Sequence, residues 1–255
     1  MKIKDCVAVV TGGASGLGEA CVRSFIKDGG KAAIIDFDEE RGKKIAAELG
    51  DSVIFCKTDV TDEKNVQETI NKTIDTFGAI HFAVNCAGVS PPMKVLGKKG
   101  PMPIDKFNWV VQVNLIGTMN VIRLAAEQMV KNTPNDDGEK GVVINTASAA
   151  ASEGQLGQAA YSASKAGVVG MTLPIAREFA NYGIRVVTIS PGLFETPMLA
   201  SLSETVKASL IEMVPFPKRL GKPSEYAQLA THIIENAQLN GETIRLDSAI
   251  RLSAK

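Results

Sequence analysis

The chain has 255 residues, of which 45% are hydrophobic and 22% charged, a balance typical of a soluble domain that buries one core. Its 28 Lys and Arg residues equal its 28 Asp and Glu residues, so no net field favours nucleic acid or an anionic membrane. Four scattered cysteines without a Cys-x-x-Cys pair argue against a metal site and suggest free thiols in a reducing compartment.

The first predicted element is a strand that begins at residue 7, close to the first residue of the sequence. This leaves no room for a signal peptide, and we expect a cytoplasmic protein. No apolar run approaches the eighteen or so residues that a membrane helix needs, so we also expect no membrane span.

Seven short apolar runs rich in β-branched residues predict buried strands. They cover residues 7–10, 32–35, 53–55, 82–84, 142–144, 186–189 and 243–246. Amphipathic segments lie between most of them, as after the helix start signal at residues 61–63. Strands that alternate with helices indicate an α/β fold with a doubly wound parallel sheet and helices on both faces.

No linker or repeat divides the chain, so we predict a single domain over residues 1–255. Residues 91–103 and 131–141 are rich in Pro, Gly and charge and are interpreted as insert-like surface loops. Residues 192–217 follow a strand and precede the last helix, where segments that cover a ligand occur in open α/β sheets.

A glycine-rich turn follows the first predicted strand, with Gly12, Gly16 and Gly18 around Ser15 and Leu17. Such a turn lets backbone N–H groups and a helix N-terminus meet a pyrophosphate, although it can also be a plain connection between strand and helix. Asp36 ends the second strand, where a carboxylate can accept hydrogen bonds from a ribose. Alternatively, Asp36 caps the helix predicted over residues 38–49.

Further polar and small residues end the next strands at the carboxyl edge of the sheet, where ligands bind. They are Asp59, Val60, Asn85, Cys86, Ala87 and Gly88. Ser148 follows the fifth strand, and Tyr161 and Lys165 then lie four residues apart on one helix face. Alone, such a Tyr and Lys are usually a surface pair.

Since neither histidine follows Cys86 at a useful place, we do not expect Cys86 to be a catalytic nucleophile.

These motifs, together with Asn114 and the Pro191-Gly192 pair, stand in the order and spacing of the short-chain dehydrogenase/reductase family, which the chain resembles over almost its whole length. The resemblance implies a Rossmann-type sheet, NAD as cofactor, and alcohol–ketone interconversion by hydride transfer. It implies Tyr161 as acid–base, Lys165 and Ser148 as its partners, and Asn114 in a proton path; alternatively, Asn114 caps a helix irregularity. It also implies cofactor contacts from Ser15, Leu17, Asp36, Asp59, Val60, Cys86, Tyr161, Lys165, Phe194 and Thr196.

Long local matches, such as residues 145–148, 153–155, 157–161 and 214–217, resemble family members that oxidise 3-hydroxyacyl-CoA. Ser148, Gln155, Gln158 and Tyr161 are accordingly expected to contact substrate. The alternatives are a hydroxysteroid, an aryl or branched hydroxyacyl-CoA, or a non-catalytic scaffold role in RNA processing, against which zero net charge argues. The resemblance further implies a homotetramer. Ser248, where the family usually has Gly, and Glu195, where it has a small residue, depart from the pattern.

Overall fold

The computed structural model describes residues 1–200 and 203–254. Its main feature is a seven-stranded parallel sheet in the order β3-β2-β1-β4-β7-β8-β9. The strands are β1 (Val7–Thr11), β2 (Lys31–Asp36), β3 (Val53–Lys57), β4 (Phe82–Asn85), β7 (Gly141–Thr146), β8 (Ile184–Pro191) and β9 (Thr243–Leu246), with a small hairpin of β5 (Leu96–Gly97) and β6 (Gly100–Pro101). The prediction of a doubly wound α/β fold is therefore confirmed.

Helices connect the strands. They are α1 (Gly16–Lys27), α2 (Glu39–Leu49), α3 (Glu63–Phe77), α4 (Ile104–Val111), α5 (Gly117–Met129), α6 (Ala159–Phe179), α7 (Pro197–Ala200), α8 (Glu204–Glu212) and α9 (Pro223–Glu235). The start signal before α3 acts as expected, because the Asp62 carboxylate accepts hydrogen bonds from the N–H groups of Lys64 and Asn65.

Two hydrophobic cores lie on opposite faces of the sheet, because side chains alternate along each strand. Ala8 and Val10 of β1 pack into the core formed with α1, α2 and α9, whereas Val9 faces the core formed with α3, α5 and α6. All residues of the central strands β1, β4, β7 and β8 are buried. The edge strands differ from the expectation of seven buried strands: β3 is partly exposed and β9 is half-buried throughout, since each has a neighbour on one side only among the strands that the structure describes.

The sheet changes its winding direction between β1 and β4, which are neighbours although they are far apart in the chain. At this point the connections leave to opposite sides, and the carboxyl ends of the two strands border a crevice. The turn after β1 and the segment after β4 therefore meet at the same place, which is where the sequence motifs are concentrated.

Two of the three segments predicted as loops or as a ligand-covering segment contain helices or strands, and the third is less exposed than expected. Residues 91–103 include the β5–β6 hairpin, and residues 192–217 include α7 and α8, with residues 201 and 202 outside the described part. Residues 131–141 form a loop whose Glu139 is buried, where its carboxylate accepts a 2.6 Å hydrogen bond from Arg185. This loop is therefore anchored in the domain by an ion pair and is not a purely surface loop.

The continuous helical stretch Ile104–Met129 is long and apolar enough to cross a membrane by length and composition alone, which the search for apolar runs missed. It joins α4 and α5 through a π-helical turn at Gln112–Ile116. Half of its most apolar window is buried within the domain, as in the core helix of a globular protein.

Candidate active site

The glycine-rich turn after β1 is shaped by close backbone contacts that exclude side chains. A Cβ on Gly12 would lie 2.9 Å from the Ala87 nitrogen, and one on Gly18 would lie 2.3 Å from the Gly12 oxygen. Gly12 and Gly16 also have φ values of 63° and 53°, which disfavour other residues. The turn thus needs glycine at these positions to pack against the end of β4.

Helix α1 begins at this turn. Its N-cap residue, Ser15, makes no side-chain hydrogen bond to the helix, so the first N–H groups of α1 have no side-chain cap. An uncapped helix N-terminus carries partial positive charge and orients N–H donors toward an anion. A cleft of about 990 Å³ lies here, lined among others by Ser15, Gly16 and Thr196. These features fit the pyrophosphate of a dinucleotide.

The Asp36 carboxylate is held beside the same turn. One oxygen accepts a 3.0 Å hydrogen bond from the Ala14 N–H and the other a 3.0 Å bond from the Asp38 N–H. The alternative role of Asp36 as the helix cap is wrong, because the Asp38 side chain caps α2 by accepting from the Arg41 N–H. Asp36 therefore remains available to a ribose at the carboxyl end of β2.

The segment after β4 forms the opposite wall of the crevice. The Thr11 hydroxyl accepts hydrogen bonds of 3.1 Å from the N–H groups of both Cys86 and Ala87, which fixes this segment against the end of β1. Asp59 and Val60 follow β3, and the Asp59 carboxylate accepts from the Thr61 N–H and hydroxyl. Val60 is buried, and its carbonyl accepts a 3.0 Å hydrogen bond from the Asn120 side-chain amide.

Ser148 and Tyr161 lie close to each other, although Tyr161 comes thirteen positions after Ser148 in the chain. Ser148 caps the short helix Ala149–Ala151, and Tyr161 lies in the first turn of α6, which brings its hydroxyl near that of Ser148. Burial raises the pKa of the Tyr161 phenol, and the hydrogen bond with Ser148 opposes this effect only in part. In the protein without cofactor, Tyr161 is therefore protonated.

Lys165 lies one turn further along α6 and is 4% exposed. Its ammonium donates a 2.7 Å hydrogen bond to the Thr146 carbonyl and lies 5.9 Å from the centre of the Tyr161 ring. Desolvation lowers its pKa to about 8. Tyr161 and Lys165 are thus a buried pair at the sheet edge and not the surface pair that spacing alone would suggest.

Asn114 is fully buried at the π-helical turn between α4 and α5. Its amide oxygen accepts from the Val89 N–H at 2.8 Å, and its amide nitrogen donates to the Val89 carbonyl and the Ser164 hydroxyl. A Cβ on Gly88 would lie 3.2 Å from the Asn114 amide oxygen and 3.5 Å from the Lys165 nitrogen. Gly88 therefore lies in a narrow gap between the side chains of Asn114 and Lys165. Asn114 itself lies at the π-helical turn, which is an irregularity between α4 and α5.

Two of the expected substrate residues, Gln155 and Gln158, lie in the loop before α6. The Gln158 amide oxygen accepts from the Gln155 N–H at 2.9 Å, and the Gln155 amide donates to the Ser253 carbonyl at 3.1 Å. Sequence reasoning missed this attachment of the loop to the C-terminal segment, and it missed the Glu153–Arg245 ion pair that reinforces it. Neither contact has a local sequence signal.

Phe194 and Thr196 lie at the start of residues 192–217, which are expected to cover a ligand and are called the covering segment below. Phe194 is buried with its ring edge-on to Tyr226 at 6.5 Å, and a Cβ on Gly16 would lie 3.3 Å from the Thr196 methyl group. The covering segment is thereby connected to both the last helix and the glycine-rich turn. The structure brings Asp36, Cys86, Ser148, Tyr161 and Lys165 to one edge of the sheet.

Comparisons with known proteins agree with this arrangement. The family model for short chain dehydrogenase matches residues 6–207. The 3-hydroxyacyl-CoA dehydrogenase type-2 of Homo sapiens is 53% identical over 252 residues, which are 98% of this chain and 97% of the relative. The crystal structure of 3-hydroxyacyl-CoA dehydrogenase type-2 from Mycobacterium avium has a TM-score of 0.94 and 40% identity, with 98% of each chain covered.

A more distant structure contains a bound nicotinamide cofactor. The 3-ketoacyl-(acyl-carrier-protein) reductase from Brucella melitensis, complexed with NADH, has a TM-score of 0.87 at 27% identity over 98% of this chain and 100% of that chain. The similarity in fold thus extends to a protein that shares only 27% of its residues with this chain.

Proposed function

Because the chain belongs to the short chain dehydrogenase family, we propose that it oxidises the 3-hydroxyl group of 3-hydroxyacyl-CoA esters to a ketone, with NAD⁺ as the hydride acceptor. Family membership makes it an oxidoreductase that acts on CH–OH groups. The acyl-CoA substrate is supported by the full-length relatives at about half identity. The single observation that carries the proposal is that the Lys165 ammonium is buried 5.9 Å from the centre of the Tyr161 ring, with Ser148 nearby.

Tyr161 is the group that takes the alcohol proton. A free phenol has a pKa near 10, and lowering it by about three units needs roughly 4 kcal/mol of differential stabilisation. The Lys165 ammonium supplies part of this inside a desolvated site, where Coulomb interactions are strong. A nicotinamide bound in the crevice supplies the hydride acceptor and, when oxidised, a second positive charge.

Ser148 orients the reacting oxygen. Its hydroxyl lies near that of Tyr161, so an alcohol bound beside both accepts a hydrogen bond from Ser148 and donates its own proton to Tyr161. Ser148 acts through position and electrostatics, and no covalent intermediate on it is needed. The Thr146 carbonyl accepts a 2.7 Å hydrogen bond from the Lys165 ammonium. Asn114 lies on the other side of Gly88 from Lys165 and is the next polar side chain along the path by which the proton leaves.

The choice of NAD over NADP rests on Asp36. Its carboxylate is fixed by two backbone N–H groups at the end of β2 and would repel a 2′-phosphate at that place. Neither Ser15 nor Phe37 supplies a cation to neutralise such a phosphate. The site therefore favours a free ribose hydroxyl.

A homotetramer and a cytoplasmic location complete the proposal. Strand β9 is half-buried and pairs with β8 on one side only among the described strands, while α9 lies beside it at the surface. Residues 241–252 and the helix near residues 223–236 are thus the surfaces we assign to one subunit interface.

The cysteines, all free in the structure, fit a reducing compartment.

A turnover screen tests the proposal. The protein is incubated with NAD⁺ and 3-hydroxyacyl-CoA esters of several chain lengths, with hydroxysteroids and with aryl or branched hydroxyacyl-CoA esters, and NADH is followed by absorbance. The proposal requires the highest kcat/KM on a 3-hydroxyacyl-CoA. A higher value on a hydroxysteroid would reassign the substrate, and RNA binding without turnover on any alcohol would favour the scaffold role.

A further inference from the structure

Residues 152–158 form the loop that connects the two hydroxyl-bearing residues of the candidate active site. The loop follows the short helix that Ser148 caps, and it leads into α6, where Tyr161 lies in the first turn. A displacement of this loop therefore moves the Ser148 hydroxyl relative to the Tyr161 phenol. The contacts that hold the loop in place consequently bear on the chemistry of the site.

Gly154 packs between the two ends of this connection. A Cβ on Gly154 would collide with the hydroxyl of Ser162, the residue next to Tyr161, and would lie 3.4 Å from the carbonyl oxygen of Ala150, two residues after Ser148. The Ser162 hydroxyl is buried and has no hydrogen-bond partner among the described residues, so packing against Gly154 is what this side chain meets. The backbone at residue 154 thus contacts neighbours of both active-site residues.

The residue before Gly154 attaches the loop to the C-terminal segment, by which we mean residues 247–254. The Glu153 carboxylate, whose side chain is 20% exposed, accepts a 2.8 Å hydrogen bond from Arg245 in β9 and a 3.1 Å bond from the Leu252 N–H. Arg251 Nε lies 3.4 Å from the same carboxylate. One side chain of the loop therefore binds both β9 and the segment that follows it.

Two further hydrogen bonds continue this attachment along the loop. The Gln155 side-chain amide donates to the Ser253 carbonyl at 3.1 Å, and the Leu156 N–H donates to the Ala254 carbonyl at 3.1 Å. Together with Glu153, three positions of the loop are bound to the C-terminal segment. The segment thus lies along the outer side of the loop and contacts it at more than one point.

The C-terminal segment is itself fixed to the sheet. Ile250 is fully buried, and its carbonyl accepts a 3.2 Å hydrogen bond from Arg245. The Asp247 carboxylate accepts a 2.6 Å hydrogen bond from Arg245 Nε, so that one guanidinium group binds the carboxylates of both Asp247 and Glu153. Because Arg245 lies in β9, these contacts fix the loop relative to the sheet.

We propose that Glu153 is a positioning residue of the active site, through which β9 and the C-terminal segment fix Ser148 relative to Tyr161. Glu153 acts through Gly154, which packs on the neighbours of both. The inference rests on the function proposed above, since it concerns proton transfer by Tyr161.

This role has a consequence for the acidity of Tyr161. Burial raises the pKa of the phenol and the hydrogen bond with Ser148 lowers it, while the charged group beside the ring is Lys165 on the same helix. A loop that is no longer held by Glu153 weakens the hydrogen bond with Ser148, so the pKa of Tyr161 rises. Because oxidation of the alcohol needs the phenolate, the acidic limb of the kcat profile should move to higher pH.

The experiment compares Glu153→Gln with the original protein. Glutamine keeps the shape of the side chain, but it removes the charge and replaces one acceptor by a donor in front of Arg245. Rates with NAD⁺ are measured against pH on the alcohol that the original protein oxidises best. The acidic limb of kcat should move up by about half a pH unit, which is about a threefold lower kcat at acidic pH. Affinity for NADH should stay within about twofold, since the glycine-rich turn and Asp36 are unchanged.

Two further variants accompany this comparison. Glu63→Gln is the matched control, because Arg123 lies 2.8 Å from Glu63, as Arg245 does from Glu153, but this ion pair joins α3 and α5. It should leave the pH profile unchanged. Arg251→Gln removes an outer partner of Glu153 at a side chain that is 64% exposed, and it should move the limb in the same direction by less. It tests the proposal also where Glu153→Gln does not fold.

Hydrogen exchange measures the attachment without any substrate. In Glu153→Gln, peptides that cover residues 152–158 and 249–254 should exchange faster, because the N–H groups of Leu156 and Leu252 are less well held. The peptide that contains the glycine-rich turn at residues 12–18 should exchange as in the original protein.

Unchanged pH profiles in both Glu153→Gln and Arg251→Gln would overturn the proposal, even if stability falls, because the ion pairs would then serve stability alone. An equal displacement of the limb in Glu63→Gln would also overturn it, since the effect would be general. If the original protein oxidises no alcohol, the proposed function is rejected and this inference with it. If the original protein turns over and the variants keep its profile, the proposed function stands and only the positioning role is rejected.

Discussion

Lys165 Nζ lies 5.9 Å from the centre of the Tyr161 ring, one helical turn along α6. The ammonium is positioned by the Thr146 carbonyl at the end of β7 and not by a carboxylate. A neutral anchor leaves the positive charge of Lys165 uncompensated, so its field remains available to stabilise a phenolate on Tyr161. The cost of this arrangement is a buried charge, which has a measurable consequence for stability.

The stability of the protein should rise with pH relative to a Lys165→Met variant. The pKa of Lys165 is about 8 in the folded protein against 10.5 for a free lysine. Between these values the unfolded chain binds the proton that the folded protein has lost, so the free energy of unfolding increases with pH. The full effect is about 3 kcal/mol. Urea unfolding near the two ends of this window measures it, and a difference between the proteins that is constant or falls with pH would contradict the assignment.

NAD⁺ should be preferred over NADP⁺ by about tenfold or more in kcat/KM, because the fixed carboxylate of Asp36 repels a 2′-phosphate. Asp36→Ser removes that charge and should raise activity with NADP⁺ while lowering activity with NAD⁺. Steady-state kinetics of both proteins with both cofactors measure this. Equal kcat/KM values of the original protein for the two cofactors would contradict the role of Asp36.

Much of this architecture is predictable from the sequence because the signals are local. Buried β-branched runs specify the strands, and the carboxyl ends of parallel strands meet at one edge, which places Asp36, Cys86 and Ser148 together. The family resemblance adds the roles that spacing alone leaves open, such as that of Tyr161 beside Lys165.

The remaining features depend on tertiary partners that no local pattern reveals. Glu139 is buried because Arg185, 46 residues away, pairs with it, so a polar loop sequence does not indicate exposure. The choice of Asp38 over Asp36 as the cap of α2 depends on where the chain leaves β2, which a sequence pattern locates only within a few residues.

Ser248→Gly should stabilise the protein by up to about 1 kcal/mol. Ser248 adopts a φ of 54°, in the left-handed region that favours residues without a Cβ. The urea midpoint should therefore rise. Ala208→Gly in the exposed face of α8 is the control and should lower stability by about 1 kcal/mol, since the backbone there is helical. A loss of stability in Ser248→Gly would show that the serine hydroxyl contributes more than the strain costs.

Replacement of Lys98 and Lys99 by Glu should raise KM for an acyl-CoA several-fold, if these residues meet the CoA phosphates. Both are exposed at the tip of the β5–β6 hairpin, together with Lys94 in the same loop. Fully hydrated lysines often serve only solubility, because their contacts to phosphate are weak. KM for a CoA-free alcohol with the same reacting end is the control. Equal effects on both substrates, or no effect on either, would exclude a phosphate-binding role for this loop.

The most direct test of the account follows hydride transfer in the original protein and in Tyr161→Phe. A 3-hydroxyacyl-CoA that carries deuterium at C3 is incubated with NAD⁺, and the deuterium in the reduced cofactor is measured by mass spectrometry together with NADH binding. The account predicts one deuterium per turnover in the original protein. Tyr161→Phe should bind NADH nearly normally but transfer almost none, because only the phenolic proton acceptor is lost. Transfer by Tyr161→Phe at more than about a tenth of the original rate would contradict the acid–base role of Tyr161.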